Sequence, residues 1–250
     1  SITITSLDDP DISFEVEAPA GEVVNLGQLI ARGGSVDVLA GTIRHSGEIN
    51  ADALSVDGAG RIVLVATKSI ETTAGSMISA RGEQPALAAA IPVATTTAAV
   101  EAPPNPVGAN GGDVSIKALP PAADPAAAPV ADPVAPTPTT VALAGRVDVT
   151  GARGGKAVVE ADVVTVKGTI DASGIAVGGT VHVLGDRVKA EGATVRANAE
   201  TGNAGDIRFG GELQGASSLR AADTAVVDSA SRFEASAKDS GHGGEQGGQG

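Results

Sequence analysis

Two carboxylates in this chain are spaced so that they can meet in space. Asp162 and Asp186 are 24 residues apart, which is also the interval between two copies of a recurring phrase. If that interval is one turn of a stacked structure, the two residues lie in adjacent layers about 5 Å apart. A carboxylate pair at that distance can perform acid–base chemistry on a polysaccharide or hold a cation. We expect instead a pair of corner residues with Arg187 as a surface partner, because Asp is favoured in turns.

A second acidic group lies near the N-terminus, and it has the ligand chemistry of a calcium site. Its members are Asp8, Asp9, Asp11, Glu15 and Glu17. The regular glycine- and aspartate-containing nonapeptide of calcium-binding β-rolls is missing. A solvated acidic loop is therefore the prediction for this segment.

The three histidines do not form a metal-ligand pattern. His45, His182 and His242 are far apart in the chain, and there is no cysteine to complete a site. The sequence has neither a phosphate-binding glycine loop nor an arguable Ser/His/Asp arrangement. It therefore predicts no catalytic, cofactor-binding or metal site, and no enzyme activity.

Composition excludes several classes of function. The formal net charge of −13 argues against nucleic-acid binding, which needs clustered basic residues. No stretch of about 18 apolar residues is present, so the sequence predicts no membrane span. Phe14, Phe209 and Phe233 are the only aromatic residues, and without Trp or Tyr the usual stacking platforms for sugar rings are missing. We expect the three phenylalanines to be shaft or cap residues.

The elements that must position these residues are set by a repeated phrase. Its double-glycine copies start at Gly33, Gly111 and Gly178, with looser copies at Gly154 and Gly205. Measured between the equivalent glycines Gly155, Gly179 and Gly205, uninterrupted copies are 24 and 26 residues apart, an interval typical of a solenoid. Two further phrases recur between these copies, and each has apolar residues at alternate positions, as in a strand with one buried face. The second phrase is at 54–56, 163–166 and 187–190, and the third is at 47–51, 75–80, 168–172 and 192–197.

Three short strands per repeat predict an all-β fold, a parallel β-helix of about seven turns with Val and Ile pointing inward. The predicted N-terminal turns span 1–82, with residues 1–17 either capping the shaft or continuing it. The C-terminal turns span 141–240, and 241–250 is a flexible Gly-rich tail.

Residues 83–140 interrupt the repeat. Twelve of the 14 prolines lie there, in a stretch of sequence rich in Ala and Thr. We predict two inserted loops, 83–110 and 119–140, on either side of one shaft strand near 111–118, since solenoids tolerate such insertions. The threonines at 95–97 and within 137–140 resemble O-glycosylated stalks, but unmodified spacer is the preferred interpretation.

Several phrases resemble the filamentous haemagglutinin-type exoproteins, a family with the order V-N-x-G-x-I-x-A, G-G-x-V-x-L-x-A, N-x-G-x-I. The matching segments are 24–31 (VNLGQLIA), 33–40 (GGSVDVLA), 46–49 (SGEI), 63–66 (VLVA), 170–174 (IDASG), 179–188 (GTVHVLGDRV) and 206–215 (DIRFGGELQG). The resemblance covers about 20–82 and 141–240. The family's N-terminal secretion signature is missing, and Ser46, preceded by His45, stands where the family has Asn.

The resemblance implies a right-handed β-helix secreted by two-partner secretion, through an outer-membrane partner transporter. It implies an internal segment of a large bacterial exoprotein at the cell surface, with adhesion, haemagglutination or toxin display as typical roles in virulence. The predicted function is a structural and adhesive segment that contacts a host cell surface or matrix. The alternatives are a polysaccharide-acting β-helix enzyme and a passive spacer in a toxin-delivery filament.

Overall fold

The structure is a computed structural model that describes residues 2–5, 13–16, 21–25, 27–53, 59–82, 108–120, 137–211 and 219–238. Within these ranges the chain forms 22 β-strands, numbered β1 to β22 in chain order, and no helix. No helix in this part of the chain is therefore long and apolar enough to cross a membrane. The strands stack in three rows, which we call faces 1, 2 and 3.

Face 1 contains the first halves of β5 (Ser35–His45) and β7 (Arg61–Thr72), then β9 (Asp113–Ala118), β13 (Lys156–Glu160), β17 (Thr180–Leu184) and β20 (Asp206–Phe209). Face 2 contains β3 (Glu22–Asn25), the second halves of β5 and β7, β10 (Thr140–Leu143), β14 (Val163–Val166), β18 (Arg187–Ala190) and β21 (Thr224–Val227). Face 3 contains β4 (Gln28–Ile30), β6 (Glu48–Asn50), β8 (Met77–Ser79), β11 (Arg146–Asp148), β15 (Thr169–Asp171), β19 (Thr194–Arg196) and β22 (Arg232–Glu234). Two short strands, β12 (Gly151–Arg153) and β16 (Gly174–Val177), pair at the corner after face 3.

Strands of successive turns pair in parallel within each face, so the predicted parallel β-helix is confirmed. The seven strands of face 3 form one sheet, and each contributes one turn of the shaft. Val164 pairs with Val188, which turns the 24-residue interval of the sequence into one step along the shaft. The repeat interval therefore measures the circumference of the β-helix.

The core is a set of stacked apolar columns inside the shaft. On face 3 one such column is Ile49, Ile78, Val147, Ile170 and Val195, each at most 1% exposed. Aliphatic side chains of similar size suit this arrangement because every layer has the same narrow width. Their burial supplies the main stabilisation of each turn.

The double glycines stand where consecutive turns approach most closely. A Cβ atom on Gly155 would overlap the carbonyl oxygen of Gly112, and one on Gly179 would overlap that of Gly155. Neither glycine has a positive φ angle. The phrase therefore requires glycine for close backbone approach at the entrance to face 1.

The N-terminal end of face 1 is covered by an antiparallel hairpin. Strand β1 (Ile2–Thr5) pairs with the first residues of β5 and also with β2 (Ser13–Val16). The hairpin therefore covers the edge of β5 instead of adding another helical turn. Antiparallel pairing here satisfies backbone groups that a parallel strand of a preceding turn would otherwise pair with.

Strand β9 lies in face 1 between β7 and β13, in register with both. It is separated from its chain neighbours β8 and β10 by 83–107 and 121–136, which lie outside the described residues.

Candidate functional site

The predicted carboxylate pair lies at the corner that precedes face 2. Thr140, Val163, Arg187 and Thr224 occupy equivalent positions in four successive turns. The residues just before them, Thr139, Asp162, Asp186 and Asp223, therefore form one column along this corner. Sequence spacing correctly predicted that Asp162 and Asp186 lie in adjacent layers.

Both carboxylates bind the same guanidinium group. Arg220 Nη2 lies 2.6 Å from Asp162 Oδ1 and 2.7 Å from Asp186 Oδ1, and its Nε donates to Asp186 Oδ1 at 2.9 Å. The prediction that Arg187 is the partner of this pair was wrong. Arg187 is the first residue of β18 and is exposed on the outer surface of face 2, whereas Arg220 reaches the corner from the segment between β20 and β21.

Thr139 completes this corner cluster, by which we mean Thr139, Asp162, Asp186 and Arg220. Its backbone N–H donates to Asp162 Oδ2 at 2.7 Å, and its hydroxyl lies 2.7 Å from the Ala118 carbonyl and 3.0 Å from Asp162 Oδ2. The Asp162 N–H donates to the same hydroxyl at 3.1 Å. Thr139 is only 1% exposed, so this threonine belongs to the shaft and not to a spacer.

These contacts determine the chemistry open to the pair. Burial acts to raise the pKa of Asp162, but the hydrogen bonds from Arg220 and Thr139 outweigh it, and the pKa lies below the usual value for aspartate. An acid catalyst needs a raised pKa, and a cation site needs oxygen atoms that are not already paired. The corner cluster therefore joins turns of the shaft and does not present a reactive acid.

A second stacked carboxylate pair, which was not predicted from the sequence, lies at the end of face 3. Asp148 and Asp171 are 3% and 8% exposed, and Arg146 Nη2 lies 2.8 Å from Asp148 and 3.8 Å from Asp171. Asp148 Oδ1 accepts from the Thr150 N–H at 3.2 Å and hydroxyl at 2.7 Å. Asp171 Oδ1 accepts from the Ser173 N–H at 3.1 Å. The repeated pattern of Asp, one apolar residue and a hydroxyl residue was the available signal, and it marks a side-chain-stabilised turn.

An open groove of about 220 Å³ lies beside this corner. Its polar lining includes Thr150, Ser173 and Asn198, which stack along the shaft. Asn198 Oδ1 accepts from the N–H of Ser236 at 2.9 Å, and the Asn198 N–H donates to the Ser173 hydroxyl at 3.2 Å. The lining residues thus hydrogen-bond across successive turns and include no aromatic ring.

The histidines are in different environments. His45 is 1% exposed with Nε2 at 3.1 Å from the Met77 carbonyl, and burial is the main reason why its pKa is lowered. His182 Nε2 lies 3.3 Å from Asp206 on the outer surface of face 1. His242 lies outside the described residues, and among those residues no group of His, Cys, Asp and Glu is arranged to hold a metal ion.

The N-terminal acidic group falls mostly outside the structure. Asp8, Asp9, Asp11 and Glu17 lie outside the described residues, and Glu15 lies within β2.

Two phenylalanines are shaft residues, as expected. Phe209 and Phe233 pack against the core in the last turn, with ring centroids 5.2 Å apart at 73°.

Comparison with solved structures supports the fold. The crystal structure of the HMW1 secretion domain from Haemophilus influenzae is similar, with a TM-score of 0.54 and 22% identity over 90% of this chain. The chain spans about half the length of that structure, since the match covers 50% of it. No family model matches the sequence, and no curated protein matches it either. At this identity the likeness concerns the β-helical fold, and the filamentous haemagglutinin-type relationship stays a prediction.

Proposed function

We propose that this chain is a structural and adhesive segment of a large secreted bacterial exoprotein. It is carried out of the cell by two-partner secretion, through an outer-membrane partner transporter. At the cell surface its β-helical shaft projects a contact surface toward a host cell or matrix. The observation that carries this proposal is the position of β9, which lies in register inside the shaft between the two insertions that the sequence predicts, 83–110 and 119–140.

The solenoid architecture and the composition of the chain support secretion. Each turn of a solenoid contacts mainly its neighbours, so a chain that emerges gradually from a pore can fold turn by turn. The sequence contains no cysteine, which avoids premature disulfides during export. The similar HMW1 structure is itself described as a secretion domain.

The contact surface is assigned to the two insertions. Asp113 pairs with Arg61 and Lys156, and the pairing continues through Ile116 with Leu64 and Val159. The ladder is therefore complete on both sides of β9, and the insertions interrupt no shaft hydrogen bond within that strand. We assign recognition to the insertions because loops positioned by a rigid scaffold commonly carry binding residues.

The polysaccharide-acting alternative finds less support at the corner cluster. Its two carboxylates are bound to Arg220, and the pKa of Asp162 is lowered where a general acid needs it raised. The passive-spacer alternative differs from the proposal only in binding, so a binding experiment separates them.

The test is a binding survey with the intact chain. The folded protein is presented to host cells, immobilised matrix proteins and a panel of glycans, with its β-sheet circular dichroism checked in the same buffer. Saturable binding to one of these surfaces is expected. A folded chain that binds none of them would contradict adhesion and leave the spacer function.

A further inference from the structure

The groove beside the corner after face 3 follows the shaft across successive turns. Gly151 pairs with Gly174, and Gly174 pairs with Ala199, so these three residues form one column of its lining. The lining residues that precede and follow them in the chain form two more columns. One contains Thr150, Ser173 and Asn198, and the other contains Ile175, Glu200 and Lys238. We call this site the axial groove.

The axial groove belongs to the body of the shaft. Its central lining residues, 173–175 and 198–200, lie within the continuous described range 137–211. Gly151 pairs on one side of this stretch, and Ala237 pairs with Ala199 on the other. A paired turn therefore precedes and follows the middle of the groove.

Asn198 has hydrogen-bond donors that the shaft does not use. Its Oδ1 accepts from the Ser236 N–H at 2.9 Å and from the Ser236 hydroxyl at 3.0 Å. Because a backbone N–H can only donate, this contact fixes which end of the amide carries the oxygen. Asn198 Nδ2 has no hydrogen-bond partner among the described residues. Two N–H donors of this side chain are thus available to a ligand.

The neighbouring side chains add a further donor, a carboxylate and an ammonium group. The Ser173 hydroxyl accepts from the Asn198 N–H at 3.2 Å, and its own proton is donated to no group in the described part of the chain. Glu200 and Lys238 are 3.9 Å apart, with side chains 61% and 73% exposed. An ion pair this exposed contributes little to stability, so both groups can exchange water for a ligand.

This mixture of groups matches a sugar better than other ligand classes. A sugar hydroxyl both donates and accepts, so adjacent hydroxyls can accept from Asn198 and Ser173 and donate to Glu200. An extended peptide presents same-side groups about every 6.6 Å, twice the strand rise of about 3.3 Å, whereas successive turns are about 4.8 Å apart. Glu200 and the net charge of −13 disfavour anionic ligands.

We propose that the axial groove binds one neutral sugar unit of a glycan. Asn198 Nδ2 and the Ser173 hydroxyl donate to sugar oxygens, and the Glu200 carboxylate accepts from a sugar hydroxyl. The groove volume of about 220 Å³ is below the roughly 300–1,000 Å³ of pockets for drug-sized ligands, which suits a small ligand. Because no aromatic ring stacks on the sugar, we expect a dissociation constant of about 1 mM.

The test is a titration of the whole ¹⁵N-labelled chain, followed by nuclear magnetic resonance, with the methyl glycosides of glucose, galactose, mannose and N-acetylglucosamine. At least one sugar should shift the Asn198 side-chain amide and the backbone amides of 173–175 and 198–200 in a saturable way. A hexapeptide of Ser and Ala at the same concentration should not shift them. A response to the peptide alone, or to none of the sugars, would overturn the proposal.

The variant Asn198→Asp separates binding from folding. It keeps an oxygen for the Ser236 N–H but removes both amide donors, so the fold should persist while sugar binding weakens about fivefold or more. Glu200→Gln should weaken binding by a similar factor, since a neutral acceptor replaces a charged one.

Asn203→Asp is the matched control, because it makes the same chemical change at an exposed residue outside the groove lining. It should leave sugar binding unchanged. Unweakened binding by Asn198→Asp, or equal weakening by Asn203→Asp, would contradict the assignment. These variants leave the two insertions intact, so this inference and the proposed adhesive function stand or fall separately.

Discussion

Arg220 and Asp162 are 58 residues apart in the chain, yet the guanidinium Nη2 lies 2.6 Å from the carboxylate Oδ1. Arg220 belongs to the last described turn, and Asp162 lies two turns earlier in the same corner column. The contact ties non-adjacent turns together, whereas solenoids are mostly held by contacts between neighbours. Asp162 and Asp186, whose spacing made them candidates for acid–base chemistry, therefore stabilise the shaft instead.

Removing Arg220 should destabilise the C-terminal turns. Arg220→Ala leaves Asp162 and Asp186 stacked without their shared cation, and we expect a loss of about 1–2 kcal/mol in the free energy of unfolding. Chemical denaturation measures this loss. The control is Arg187→Ala at an exposed position, which should change stability by less than about 0.5 kcal/mol. Equal effects of the two substitutions would contradict the assignment of the corner cluster.

We expect the hydroxyl group of Thr139 to stabilise the folded shaft. Thr139→Val keeps the shape of the side chain but leaves the Asp162 N–H and the Ala118 carbonyl without this partner in a buried place. The expected loss is about 1–3 kcal/mol. Thr139→Ser keeps the hydroxyl and should lose clearly less stability in the same denaturation assay. If Ser and Val variants were equally unstable, packing and not hydrogen bonding would account for this residue.

Mild acid should destabilise the shaft through His45. Burial lowers the pKa of His45 in the folded chain, so the unfolded chain binds this proton more readily. The contribution of neutral His45 to the free energy of unfolding is therefore fully present above the ordinary histidine pKa of about 6.5. It is lost as the pH falls below that value toward the lowered pKa of the folded chain. Thermal unfolding between about pH 7 and pH 5 should show this loss.

The variant His45→Gln provides the comparison for that pH dependence. Glutamine cannot be protonated in this range and can still donate to the Met77 carbonyl. Its unfolding temperature should vary less between the same two pH values. A variant with the full pH dependence of the original chain would exclude His45 as the cause.

The double-glycine corners should not tolerate a side chain. Gly155→Ala would push a Cβ atom into the Gly112 carbonyl oxygen of the preceding turn, so we expect a loss of about 3 kcal/mol or more. Gly75→Ala is the matched control, because a Cβ there meets nothing within 4 Å and its φ angle is not positive. Circular dichroism and denaturation of both variants test this, and similar stability of the two would refute the close-approach explanation.

The repeated phrases were sufficient to predict the three faces, because each turn repeats the same corner chemistry. They did not predict that Arg61–Thr72 is one unbroken strand crossing from face 1 to face 2. That run contains no glycine, proline or asparagine to mark the corner. The predicted second-phrase strand at 54–56 lies outside the described residues.

Arg220 was not predictable from the repeat interval. It lies 34 residues from Asp186 and 58 from Asp162, and neither separation matches one turn. The extra residues between β20 and β21 shift it out of the periodic pattern. Periodicity predicts which residues share a column, but not which residue from an irregular segment reaches that column.

The most direct test of the proposed function compares the intact chain with a variant in which 83–107 and 121–136 are each replaced by a short Gly/Ser linker. Both proteins are assayed on the host cell or matrix surface that the intact chain binds, after circular dichroism has shown that both are folded. The account predicts that the variant keeps its β-helix and loses binding. Undiminished binding by the folded variant would contradict it and place the contact surface on the faces of the shaft.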